Sequence, residues 1–205
     1  MTDTFKKLFK TGFFHIFGAG SINRIFLALL SIVLVRILSQ ENFGIYSYAY
    51  NIASFFVLFN GFGATSAFLQ IGSELHEDKY SSNSIFAYAY KIGISVDVAL
   101  AVIIAAVGLF APLAIQGSNS LLMLYCAYPL VTFLVEIKQC YLRVDLKNKD
   151  YALMTNIQTG LNVGLAILGA VLFQATGLVI GQLLANVLSY LLMSIKYPFR
   201  GHGTV

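Results

Sequence analysis

The stretch 151–195 contains no Asp, Glu, Lys or Arg, and neither does 98–135. Runs of this length constrain the chain more than any other feature. A bilayer's hydrocarbon core, about 30 Å thick, is crossed by about 20 apolar helical residues. Lipid offers no partners for backbone amides, so only helices and closed barrels can span it. Barrel strands would show short alternating segments of about 10 residues, whereas these runs are continuous. Composition agrees: 58% of residues are hydrophobic and 11% charged, where a soluble domain carries about a quarter charged. The expected fold class is all-α, a polytopic membrane protein built as a six-transmembrane-helix bundle.

Polar breaks place the helices at about 13–38, 43–71, 84–110, 121–143, 151–173 and 177–197, forming one lobe over 13–197. A basic, amphipathic segment (1–12, with Lys6, Lys7 and Lys10) precedes it, and a tail (198–205) follows. The first apolar run is too long for a signal-peptide core and lacks a convincing cleavage site, so it reads as the first membrane helix. Gly61-Phe62-Gly63 is expected to be a flexible point in the second helix, and Pro129 a kink in the fourth. Basic residues fix an orientation. Lys6, Lys7, Lys10, Lys79, Arg143, Lys147, Lys149, Lys196 and Arg200 fall on one side, and Arg36 on the other. The positive-inside rule puts both termini in the cytoplasm.

The net charge of +4 is accounted for by these loops and tails, so no nucleic-acid partner is expected. Cys126 and Cys140 share one run and would lie about 21 Å apart along a helix, so they cannot bond within it. The three histidines are scattered. No catalytic group, metal site, cofactor or phosphate-binding loop is expected, and the chain does not read as an enzyme.

Polar side chains within the spans are the candidates for function, because a charge at mid-bilayer costs at least about 2.5 kcal/mol. Arg24 falls near the middle of the first helix, with Asn23 beside it and Ser31 two turns on. It either binds an anion, since guanidinium pairs bidentately with phosphate, or pairs internally with Asp97 or Glu136. Asp97 and Glu136, on the third and fourth helices, read either as an ion-coupling site or as neutralisers of neighbouring cations. Lys91 and Lys138 lie nearer helix ends and are expected to snorkel. Tyr46, Tyr50 and Asn60 form a row on the second helix, suited to a sugar surface or, for the tyrosines, to an interfacial belt. Gly160-x-x-x-Gly164 and Gly177-x-x-x-Gly181, with Asn162, Gln182 and Asn186, read as packing scaffold.

The stretch Val-Arg-Ile-Leu-Ser-Gln-Glu-Asn-Phe-Gly-Ile-Tyr-Ser-Tyr-Ala-Tyr (35–50), followed by Phe-Asn-Gly-Phe-Gly-Ala-Thr (59–65), carries a resemblance. So does Leu-Arg-Val-Asp-Leu-Lys-Asn-Lys-Asp-Tyr at 142–151. Together they resemble the bacterial polysaccharide-repeat-unit (O-antigen) flippases of the multidrug/oligosaccharidyl-lipid/polysaccharide exporter superfamily. The resemblance implies two six-helix lobes around a central cavity, working by alternating access in the bacterial inner membrane. This chain matches the N-terminal lobe, so a second six-helix lobe is implied, from a missing half or a second copy. The implied substrate is an undecaprenyl-diphosphate-linked oligosaccharide for O-antigen or capsule, moved from the inner to the outer leaflet. Arg24 would hold the diphosphate, with Asn23, Ser31, Tyr46, Tyr50 and Asn60 around the sugar. Asp97 and Glu136 would couple a proton or cation. Implied partners are membrane lipids and a polysaccharide polymerase. The rivals are a multidrug/cation antiporter of the same superfamily and a non-transporting assembly factor of the polysaccharide pathway.

Overall fold

The computed structural model describes residues 13–75 and 78–198. The expected segment 1–12 and all of the tail beyond Pro198 lie outside the described residues. The described chain is helical nearly throughout. In order it comprises α1 (Phe13–Ile37), α2 (Gln40–Val57), a 3-10 turn (Asn60–Gly63), α3 (Ala64–Glu74), α4 (Lys79–Phe110), α5 (Ser118–Leu124), a second 3-10 turn (Tyr125–Ala127), α6 (Tyr128–Val144) and α7 (Asn148–Lys196). Five stretches are long and apolar enough to cross a membrane: Gly20–Ile37, Gln40–Glu74, Tyr80–Phe110, Ser118–Val144 and Asn148–Lys196.

The last stretch is folded on itself. As a straight rod its 49 residues would reach about 74 Å, more than twice a bilayer core. Phe173 (φ −135°) and Gln174 (φ 54°, ψ −137°) leave the helical region, and the chain turns back there. The two arms, 148–172 and 175–196, then pack closely. A Cβ on Gly169 would fall 2.0 Å from the Gly177 carbonyl oxygen, and one on Gly181 2.2 Å from that of Leu165. Gly177 and Gly181 therefore act as the close-packing residues their spacing suggested. Gly160 and Gly164 do not: a Cβ on either would meet no neighbouring group within 4 Å.

The chain between Val57 and Ala64 breaks the second span more sharply than a flexible point would. Gly61 (φ 56°), Phe62 (φ 46°) and Gly63 (φ 79°) are all left-handed, a conformation that glycine adopts without steric penalty. Where a kink is expected at Pro129, a 3-10 turn (Tyr125–Ala127) joins α5 to α6, and the proline occupies the first turn of α6, where its missing N–H leaves no bond unmade. α4 starts at Lys79, five residues ahead of expectation. Asp78 caps it, accepting from the Tyr80 and Ser81 amides at 3.2 and 3.4 Å. Lys138 is buried and donates to the Tyr197 carbonyl at 3.5 Å, at the C-terminus of α7, where a cation complements the helix dipole.

Leu30, Leu34 and Leu38, one helical turn apart, bury one stripe of α1 with Ala49 and Ala53 of α2 and Leu178 and Val179 of α7. Phe68, Phe86 and Phe133 join α3, α4 and α6. Val135, Leu142, Met154 and Met193 join α6 to both arms of α7. Large apolar side chains also cover the outside: Val102, Leu109 and Phe110 on α4, and Leu184, Leu188 and Ile195 on α7 are all exposed. Contiguous apolar surface of that extent suits lipid, not water.

Candidate binding cavity and carboxylate site

A cavity of about 590 Å³ lies between α1, α2, the start of α6 and both arms of α7. Four of the residues singled out in the sequence line it: Asn23 and Ser31 from α1, Tyr46 and Tyr50 from α2. Tyr46 and Tyr50 stack with ring centres 5.7 Å apart. Tyr50 meets Tyr125 at 6.1 Å, and Tyr125 meets Tyr128 edge-on at 5.6 Å, so four tyrosines form one aromatic wall, of which Tyr46, Tyr50 and Tyr128 line the cavity. Tyr125 is fully buried and its hydroxyl donates to Gln182 Oε1 at 3.1 Å.

The polar part of the lining on α7 comes from residues read as scaffold or passed over. Thr155, Gln158, Thr159 and Asn162 of α7 line the cavity with Gln182. Their spacing of three, four and seven puts them on one helical face, and this polar stripe within an apolar run was the available signal. An amide relay fixes the wall. Gln139 Nε2 donates to Gln158 Oε1 at 2.6 Å, Gln158 Nε2 to Asn186 Oδ1 at 3.0 Å, and Asn186 Nδ2 to the Gln182 carbonyl at 3.0 Å. Among the described lining residues none is charged.

Asn60, expected beside the tyrosines, instead belongs to a second constellation. Its Nδ2 donates to Glu136 Oε2 at 3.2 Å, and the next residue's amide, Gly61 N, donates to Asp97 Oδ1 at 3.0 Å. The helix break thus holds both carboxylates through adjacent residues. Asp97 is fully buried, and its Oδ2, like Asn60 Oδ1 and Thr132 Oγ1, has no hydrogen-bond partner. The break is packed by Phe133: a Cβ on Gly61 would lie 2.7 Å from that ring, and one on Gly93 1.9 Å from it.

Arg24 joins neither group. It is exposed on α1, is absent from the cavity lining, and pairs with neither Asp97 nor Glu136. It neighbours Asn23 in sequence, but successive helical residues point about 100° apart, so one faces the cavity and the other turns away. Among the described residues the ion pair is Lys147–Asp145, at 2.9 Å.

A family model described as polysaccharide biosynthesis protein matches residues 33–205. This chain belongs to the polysaccharide biosynthesis protein family. No curated protein and no solved structure matches it. Membership agrees with the resemblance carried by 35–50, 59–65 and 142–151. The matched span takes in α2 to α7, and with them the tyrosine wall, the amide wall and the carboxylate site, whereas most of α1 precedes it.

Proposed function

We propose that this chain is a six-helix lobe of a flippase that carries undecaprenyl-diphosphate-linked oligosaccharide units from the inner to the outer leaflet of a bacterial inner membrane. The observation that carries this reading is the 590 Å³ cavity lined by tyrosines and by amides and hydroxyls, without a charge among its described lining residues. Aromatic faces and uncharged donor–acceptor groups match the alternating apolar and hydroxyl surfaces of a sugar. Counting the two arms of α7 as separate crossings gives the six of one lobe. The other wall of a complete pathway comes from a second lobe, with alternating access between them, and the polymer is O-antigen or capsule.

Coupling falls to Asp97, Glu136 and Asn60. A buried carboxylate is tolerated when it is paired, protonated or bound to a cation, and Asp97 keeps one oxygen unfilled while the other accepts from the helix break at Gly61. Taking up a proton or a cation there would change the hold of α4 and α6 on the break. The multidrug/cation antiporter reading is less well supported, because no carboxylate lines the large cavity and a cationic drug would lack its counter-charge.

The test is deletion of the native gene, followed by gel analysis of surface polysaccharide and of radiolabelled lipid-linked sugars. Loss of polymer with unpolymerised lipid-linked units retained, restored by the wild-type gene but not by Tyr46→Ala/Gln182→Ala, is expected. Unchanged polysaccharide in the deletion strain would remove the reading.

A further inference from the structure

A smaller cavity, of about 230 Å³, lies between α3, the second half of α6 and the start of α7. Its polar lining is Thr65 and Ser66 from α3, Glu136, Gln139 and Arg143 from α6, and Tyr151 from α7. Glu136, Gln139 and Arg143 share one face of α6 at spacings of three and seven. The Arg143 guanidinium stands over the Tyr151 ring, 5.5 Å from its centre, a stacking that fixes its plane without using its N–H groups. Arg143 has no ion pair among the described residues, and the nearby Asp145 is taken by Lys147 at 2.9 Å. Gln139, in this cavity, donates to Gln158 of the large one at 2.6 Å, so one amide pair forms the wall between the two.

A planar cation with free donors beside two hydroxyls and an amide is a donor set for phosphate oxygens. Arg143 sits in the last turn of α6, where that span ends, and so at head-group depth. Tyr128, in the aromatic wall, lies fifteen residues back, about 22 Å along the helix. A phosphate at one site and sugars at the other fit the extent of a single lipid-linked saccharide. Two features oppose an anion. The α6 C-terminus carries the equivalent of about half a negative charge, and Glu136 lies about 10 Å away along the helix. The full charge and bidentate geometry of the guanidinium outweigh the first. The second is offset where the Glu136 carboxylate accepts from Asn60 Nδ2 at 3.2 Å, a bond that turns part of its charge toward the helix break.

Resting on the flippase reading, we propose that Arg143, supported by Tyr151 and flanked by Thr65 and Ser66, is the phosphate-binding residue of this lobe, and that Arg24 is not. Arg143 holds the phosphorylated head group of the substrate lipid while the neutral cavity beside it holds the sugars.

Binding is measured on the purified protein, with any partner that co-purifies, in phosphatidylcholine nanodiscs. The ligands are an undecaprenyl-diphosphate-linked oligosaccharide and the same oligosaccharide freed of lipid and phosphate. Arg143→Ala should weaken the lipid-linked ligand about tenfold or more and leave the free oligosaccharide unchanged. Arg143→Lys should recover part of the loss, and Arg24→Ala should lose nothing. Inorganic pyrophosphate should compete for the lipid-linked ligand, and a molar excess of phosphatidylglycerol should not. Unchanged lipid-linked binding in a folded Arg143→Ala protein would overturn the proposal. So would full displacement by phosphatidylglycerol, which would make Arg143 an ordinary interfacial anchor. Wild-type protein that binds neither ligand would bring down the flippase reading, and this proposal with it. Free-oligosaccharide binding without any effect of Arg143→Ala on the lipid-linked ligand would overturn this proposal alone.

Discussion

At the scale of single residues, the two glycines against Phe133 make the sharpest stability prediction. Gly93→Ala would place a methyl 1.9 Å from the ring, and Gly61→Ala would add a 2.7 Å contact to a left-handed backbone. Each should cost about 1–3 kcal/mol, read as a lowered midpoint in thermal unfolding in detergent. Gly160→Ala, where nothing approaches, should leave the midpoint unchanged or raise it, since alanine favours helix. Asn23, Ser31, Tyr46 and Tyr50 could be read from the sequence because they combine polarity with helical spacing, and the structure gathers them into one cavity. Arg24 marks the limit of the same logic: being polar and mid-span does not say which way a residue faces, and Arg24 is exposed outside the cavity lining. The sequence places the flexible point of the second helix at Gly61-Phe62-Gly63, after Asn60, which keeps Asn60 in one row with the tyrosines. The helix ends at Val57, and Phe59 (φ −97°, ψ 9°) leaves the helical region, so Asn60 falls out of register with the tyrosines and meets Glu136.

At the scale of elements, helix existence was legible and helix ends were not. The α4 start at Lys79 depends on Asp78, whose carboxylate accepts from the Ser81 hydroxyl at 2.6 Å and from two amides. The Ser81 bonds, first among the causes, hold its pKa below the ordinary carboxylate range. A depressed carboxylate stabilises above its unfolded pKa and loses that contribution as pH falls through the folded one. Amide exchange at Tyr80 and Ser81 should therefore quicken as pH is lowered below about 4, after correction for the intrinsic rate. In Asp78→Ala it should be fast already and lose that pH dependence. The turn at Phe173–Gln174 was legible by length alone, because the uncharged run 151–195, about twice the length a bilayer core needs, must fold to stay within it. Its chemistry was not. Gln174 Oε1 accepts from the Ser39 amide at 3.4 Å, a contact across 135 positions that no local pattern contains. The amide wall of α7 was missed for a different reason. Small and amide residues in membrane helices serve packing as readily as binding, and only the neighbours distinguish them.

At the scale of the whole molecule, the all-helical, multi-pass class follows from apolar run length, and family membership from 33–205. The two polar sites lie at different depths, the large cavity at one end of α6 and Arg143 at the other, with the carboxylate site between them. If the carboxylates couple transport, Asp97→Asn should abolish its dependence on a proton or sodium gradient while oligosaccharide binding persists, because Asp97 does not line the cavity. Radiolabel uptake across imposed gradients would show this, and lost binding would instead mean that the break collapses. The most direct test of the central claim is movement of the substrate itself. The purified protein, with any partner that co-purifies, is reconstituted into vesicles with a lectin-accessible undecaprenyl-diphosphate-linked oligosaccharide. The account predicts that lectin protection exchanges between leaflets with wild-type protein, and at least about tenfold more slowly with Tyr46→Ala/Gln182→Ala. Exchange no faster than in protein-free vesicles, or equally fast with the double variant, would contradict it.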